Sequence, residues 1–173
     1  MEEQNEERTT ALHILAYCLI SKPDPDWEYA IKTTQEELSL LEEGQKEERA
    51  KALHDLAECF STKSESDIND YDKADEMHRK ALEIEPDNTI YIENYAIFLK
   101  NIRKDYDKAD EMYRKALEIE PNNNDYFGNY AGFLLAKGDK ENGFKLLKQI
   151  ISFADKQSVL LECWFYCYAH TKK

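Results

Sequence analysis

A chain of 173 residues is long enough for one domain with a real core, and its 42% hydrophobic and 12% aromatic content excludes a disordered polymer despite 34% charged residues. Five Gly and four Pro are few for a loop-rich or β-rich protein, which favours helices. The net charge of −13 repels phosphate backbones and argues against nucleic acid as a partner.

That charge is unevenly spread: residues 1–50 hold 13 acids and 5 bases, residues 51–100 hold 12 and 6, and residues 101–173 hold 11 and 12. Two readings of the acidic part stand, solubility and attraction to a basic partner. Four Cys without a regular framework suggest reduced thiols in a cytoplasmic setting.

The opening MEEQNEERTT is acidic where a signal peptide needs a basic region, and the apolar run ALHILAYCLI after it is too short to span a bilayer. No membrane association is expected. Within that run Leu12, Leu15, Ala16 and Leu19 recur at helical steps, which predicts a first helix. Asp26-Trp27 and Ala30 open a second. Leu53, Leu56, Ala57 and Phe60 repeat the first pattern, and a longer loop, STKSESDIN, separates them from DYDKADEMHRKALEIEPDN at residues 70–88.

The next apolar stripe is Ile92, Tyr95, Ala96 and Leu99, and it leads to DYDKADEMYRKALEIEPNN at residues 105–123. That segment nearly duplicates residues 70–88, with only His78 against Tyr113 and Asp87 against Asn122 changed, at a spacing of 35 residues. Ala109, Met112, Tyr113, Ala116 and Leu117 share one helical face, and Pro121 stops the helix. Asn94-Tyr95-Ala96 recurs as Asn129-Tyr130-Ala131, and Phe98-Leu99 as Phe133-Leu134. Gly138-Asp139 opens a further helix carrying Gly143, Leu147 and Ile150. Leu161, Trp164, Phe165 and Tyr168 begin a closing helix whose opposite face, Leu160, Cys163, Tyr166 and Cys167, is also apolar.

A fixed period of about 34 residues marks a solenoid of stacked helical hairpins. The Asp105-Tyr106-Asp107-Lys108-Ala109 start, the Ala116-Leu117-Glu118 middle and the Pro121 end resemble the second helix of the tetratricopeptide repeat family. The likeness extends over essentially the whole chain. Ala96 and Ala131 stand where that family often has Gly, and the third hairpin carries one extra residue between its helices. The expected fold is an all-α, right-handed superhelical solenoid of antiparallel helix hairpins, about nine helices in a single domain over residues 1–173. The hairpins fall at about 9–43, 46–87, 88–122 and 123–156, with a closing helix at 157–170.

The resemblance implies that first helices line a concave groove for a protein or peptide. The candidate lining residues are His13 and Tyr17, His54 and Glu58, Glu93 and Ile97, and Gly128 and Gly132, flanked by Asn94 and Asn129. Paired Asn can hold a peptide backbone by donating and accepting together, or they can bond neighbouring helices. Bare backbone at Gly128 and Gly132 either admits a ligand segment or lets a neighbouring hairpin pack closely. One branch of the family clamps acidic chaperone tails with groove Lys, Arg and Asn. Here those positions hold His13, Tyr17, His54 and Glu58, so the expected partner is neutral to basic.

Trp164 and Tyr166 are candidates for an end contact, either self-association as a homodimer or partner docking. The spacing Cys163, Cys167, His170 departs from structural zinc patterns, and His78 reads as a packing variant of Tyr113. No catalytic motif, metal or cofactor is expected. The sequence therefore reads as a non-enzymatic adaptor or scaffold. The alternative is an acidic inhibitor or immunity protein that neutralises a basic toxin or effector.

Overall fold

The computed structural model describes residues 2–63 and 67–153, with side chains described from residue 5 to residue 149 outside the gap. All regular structure among the described residues is helical. In chain order the helices are α1 (Glu2–Ile20), α2 (Trp27–Leu40), α3 (Lys46–Thr62), α4 (Ile68–Ile84), α5 (Thr89–Phe98), α6 (Tyr106–Ile119), α7 (Asn124–Lys137) and α8 (Lys140–Phe153). The closing helix expected at 157–170, with Trp164 and Tyr166, lies outside the described residues.

The chain forms two compact units, Met1–Tyr91 and Ile92–Lys173, and the division falls inside α5. In the N-terminal unit α1 packs on α2, α2 on α3 and α3 on α4. Leu19, Ala30 and Cys59 form one core, joined by Ile20, Trp27 and Ile31. Ala50, Leu53, Ala81 and Tyr91 form another, flanked by Leu38, Met77, Leu82 and Ile84. Small Ala at fixed slots lets the helix axes approach, while the larger side chains fill the grooves. The stripe expected on α3 is buried throughout, whereas on α1 only Ala16 and Leu19 are buried and Leu15 stays 38% exposed.

In the C-terminal unit α7 packs on α8 and on α6. Ala131, Leu135 and Leu147 form its core with Phe127, Phe144 and Leu146. The contact is close at Gly143, where an added Cβ would lie 2.8 Å from Leu135 Cγ and 3.2 Å from the Ala131 carbonyl. Gly143 is therefore a packing glycine.

The duplicated segments end alike and begin differently. Glu85 N–H donates to the Ala81 carbonyl and Glu120 N–H to the Ala116 carbonyl, with nearly equal backbone angles. In the turns that follow, Asn88 donates to the Glu85 carboxylate at 2.7 Å and Asn123 to that of Glu120 at 2.9 Å. At the other end, Asp105 caps α6 by accepting from Lys108 N–H. Its counterpart Asp70 is instead inside α4, because Asp67 from the longer loop caps that helix first. Asp70 then pairs with Lys63 at 2.8 Å and Lys73 at 3.3 Å.

The extra residue of the third hairpin has a local explanation. Residues Leu99–Arg103 form one π-helical turn at the end of α5, and Lys104 takes a left-handed conformation at φ 56. Widening the last turn absorbs one residue without shifting the helices on either side. α7 carries no extra residue and ends at Gly138, at φ 96, whose N–H reaches the Leu134 and Leu135 carbonyls.

Candidate functional site

The predicted residues His13 and Tyr17 lie on α1 and His54 and Glu58 on α3, all within the N-terminal unit. His13 on α1 reaches across to α2 and α3: its Nδ1 lies 3.4 Å from Glu37 Oε1 and 3.7 Å from Asp55 Oδ2. Tyr17, one turn further along α1, is 65% exposed, and Ile14 beside it is 56% exposed. Lys51 lies one turn before Asp55 on α3, within the same field of charges. Between α1, α2 and α3 a cavity of about 150 Å³ is lined by Thr9, Thr10, His13, Glu37, Leu41, Glu48 and Lys51.

Acid crowding dominates the electrostatics here. Desolvation raises Glu37 to about 7, with Asp55 adding to the rise and Lys51 opposing it. Glu58 is also lifted to about 7, by desolvation and then by Asp55, although 39% of its side chain remains open to solvent. Asp55 is raised by desolvation against the pull of His13 and Lys51. His13 is lowered by desolvation and by Lys51, with Asp55 opposing. A carboxylate losing water beside others of its kind holds its proton longer.

His54 lies deeper than expected of a lining residue, at 8% exposure. Its ring stacks on Tyr91 with centroids 4.6 Å apart and faces His78 at 6.0 Å. Burial lowers His54 to about 4, and burial with the neighbouring His54 lowers His78 to about 3. Both imidazoles are neutral at ordinary pH. His78 Nε2 approaches Glu58 Oε1 at 3.8 Å.

The C-terminal unit holds the other predicted residues in a different chemistry. Asn129 on α7 donates to Glu93 Oε1 on α5 at 2.6 Å. This bond uses the side-chain amide to join two helices. Asn94 and Ile97 are half-buried. Around Gly128 nothing lies within 4 Å of an added Cβ, whereas Gly132 is buried. Nearby, Tyr130 donates to Asp110 at 2.9 Å and accepts from Arg114 at 3.0 Å. Tyr113 packs against the Tyr130 and Phe133 rings with centroids 5.7 and 5.2 Å away.

Sequence reading missed Glu37, Asp55 and Lys51, and it gave His78 a packing role only. A signal for Glu37 was present. Its slot on α2 corresponds to Ala81 and Ala116 in the duplicated helices, so an acid replaces the small residue that the packing template wants.

Residues 50–88 and 102–123 match the tetratricopeptide repeat family. Among solved structures the fold is similar to that reported in a functional characterisation of pilF from Pseudomonas aeruginosa. The TM-score is 0.70 at 22% identity, covering 96% of this chain and 70% of that one. Two crystal structures of MamA share 15% and 17% identity, each with a TM-score of 0.46, covering 87% and 85% of this chain and 91% and 92% of theirs. No curated protein matches the chain. No helix among the described residues is long and apolar enough to cross a membrane.

Proposed function

Starting from a chain whose residues 50–88 and 102–123 are tetratricopeptide repeats, we propose that this protein is a non-enzymatic interaction module. Its partner is a protein or peptide of neutral to basic character, held on the first-helix faces of its hairpins. The observation that carries this reading is the crowding of Glu37, Asp55 and Glu58 in the N-terminal unit, with Tyr17 exposed one turn along α1 from His13. Those acids lose hydration in the fold, and Lys51 and His13 offset them only in part. A partner's Lys or Arg would supply the missing countercharge, and Tyr17 with Ile14 would supply apolar contact. In the C-terminal unit, Glu93, Asn94, Ile97, Gly128 and Asn129 offer the corresponding surface, with the buried Gly132 beneath it. There Gly128 leaves room for a partner's backbone.

A cytoplasmic setting belongs to the same reading, supported by Cys18 and Cys59 as free thiols. A second reading, an acidic inhibitor of a basic toxin or effector, is favoured by the concentration of acids in residues 1–100. An inhibitor binds one partner at nanomolar strength or tighter and abolishes its activity, whereas an adaptor binds several partners more weakly.

The test uses Lys-rich, neutral and Asp/Glu-rich peptides titrated against the full chain and against a Glu58→Lys, Glu93→Lys variant. The Lys-rich peptide should bind, and its affinity should fall by about tenfold in the variant and again on raising salt from about 50 to about 200 mM. Equal binding of the acidic peptide, or affinities unmoved by the double substitution, would remove the reading.

A further inference from the structure

The second hairpin gathers three side chains whose donor atoms converge, one of them the Glu58 already placed on the partner-binding face. His54 and Glu58 are one helical turn apart on α3 and share a face. His78 comes from α4, the other arm of the same hairpin. One ligand atom from each of the three lies within 4.8 Å of the others. Stacking on Tyr91 fixes the plane of the His54 ring, and His78, at 1% exposure, has little freedom to turn away.

This constellation is not part of the repeat template. The positions equivalent to His54, Glu58 and His78 are Glu93, Ile97 and Tyr113 in the next hairpin, and His13, Tyr17 and Thr34 in the one before. Each of those sets offers a single good ligand, and His78 is one of only two changes between the duplicated segments. The substitution that a packing argument treats as neutral is the one that completes a donor set.

We infer that His54, Glu58 and His78 bind a divalent first-row transition ion, with zinc the ion their chemistry fits best. Two imidazole nitrogens and one carboxylate suit zinc, whereas calcium and magnesium want an oxygen shell. Tetrahedral zinc with bonds of about 2.0–2.2 Å places its ligand atoms about 3.3 Å apart. The His78–Glu58 separation of 3.8 Å is already near that value. All three ligand atoms already lie within 4.8 Å of one another, so closing onto an ion asks for small shifts of the imidazoles as well as of the Glu58 carboxylate, the most exposed of the three. Three protein donors leave a fourth position on the open side of Glu58, where a water or a partner's side chain can complete the shell. A dication there also offsets the acids around Asp55.

The experiment strips the full chain with a chelator, then titrates it with Zn²⁺ by calorimetry and with Co²⁺ by visible absorption. One ion per chain is expected, with the intense absorption of tetrahedral cobalt and a rise in Tm of about 5 °C at saturating zinc. Glu58→Gln preserves shape and His78→Tyr installs the residue of the sister helix, and each should weaken zinc binding by at least about tenfold. If His78→Tyr loses its helical circular dichroism, Glu58→Gln decides. Absence of binding by the wild-type chain, or an affinity that both folded variants share with it, overturns the site. The second result would assign the ion to donors elsewhere, such as Cys163, Cys167 and His170.

Discussion

Two helices with almost the same sequence, α4 and α6, are built into interiors of opposite kind. In α6, Tyr113 fits an aromatic layer with Tyr130 and Phe133, and the polar ends of that layer close through Asp110 and Arg114. In α4, His78 occupies the matching slot but faces His54 and Glu58. In the first interior Tyr130 donates to Asp110 and accepts from Arg114. The second gathers imidazoles and carboxylates whose charges burial suppresses. The contrast teaches that a repeat fixes how helices stack and leaves the chemistry between them to one or two positions.

Exchanging those positions should give unequal results. Tyr113→His removes a buried ring from the aromatic layer and leaves a polar ring against Phe133, and should cost about 3 kcal/mol in urea unfolding. His78→Tyr adds volume in a site already bordered by polar groups, and should cost about 1 kcal/mol. Equal costs would mean that the two interiors tolerate the same residue and differ less than their contacts indicate.

The acid crowding of the N-terminal unit can be isolated at Glu37. Its folded value of about 7 lies above the ordinary 4.5, so the folded state holds this proton more tightly than the unfolded state. The charged form therefore costs stability above pH 7, and the cost disappears as pH falls from 7 toward 4.5. Glu37→Gln should stabilise the protein by about 2 kcal/mol at pH 8 and by almost nothing near pH 4.5, part of the full gain being offset by the lost His13 contact. Both chains share His54 and His78, whose titration cancels in the difference. A gain independent of pH would assign the effect to packing.

The smallest expected effect separates the two ways of closing a first helix. Lys104 holds a left-handed conformation that Gly138 holds freely. Lys104→Gly should raise stability by about 1 kcal/mol, seen as an increase of a few degrees in Tm. A loss instead would show that the Lys104 side chain stabilises the π-helical turn by more than its backbone costs.

Much of the fold was legible because repetition supplies its own alignment. Once residues 70–88 and 105–123 are overlaid, the apolar slots of α3, α5 and α7 follow, and Ala50, Ala81, Ala116 and Ala131 mark where helices approach. The weakest reading was on α1, where Leu15 has the right spacing and remains partly exposed. Periodicity names a face without saying how much of it a neighbour covers. The candidate site was legible in half. His13, His54 and Glu58 were visible as residues of first helices, whereas Glu37 and His78 come from second helices, which the template assigns to scaffold.

By itself the sequence determined the helices, their pairing into hairpins, the turns after Glu85 and Glu120, and the need for an extra residue to be absorbed before Asp105. These are local matters of period, capping and backbone preference. Tertiary structure decided that Asp70, displaced into the helix by the Asp67 cap, pairs with Lys63 while its twin Asp105 stays at a cap. It also decided that Asn129 is spent on Glu93, and that His54, Glu58 and His78 converge. The reason is physical. Charge, burial and ligand geometry depend on which side chains meet across helices, and that meeting is settled only when the hairpins pack.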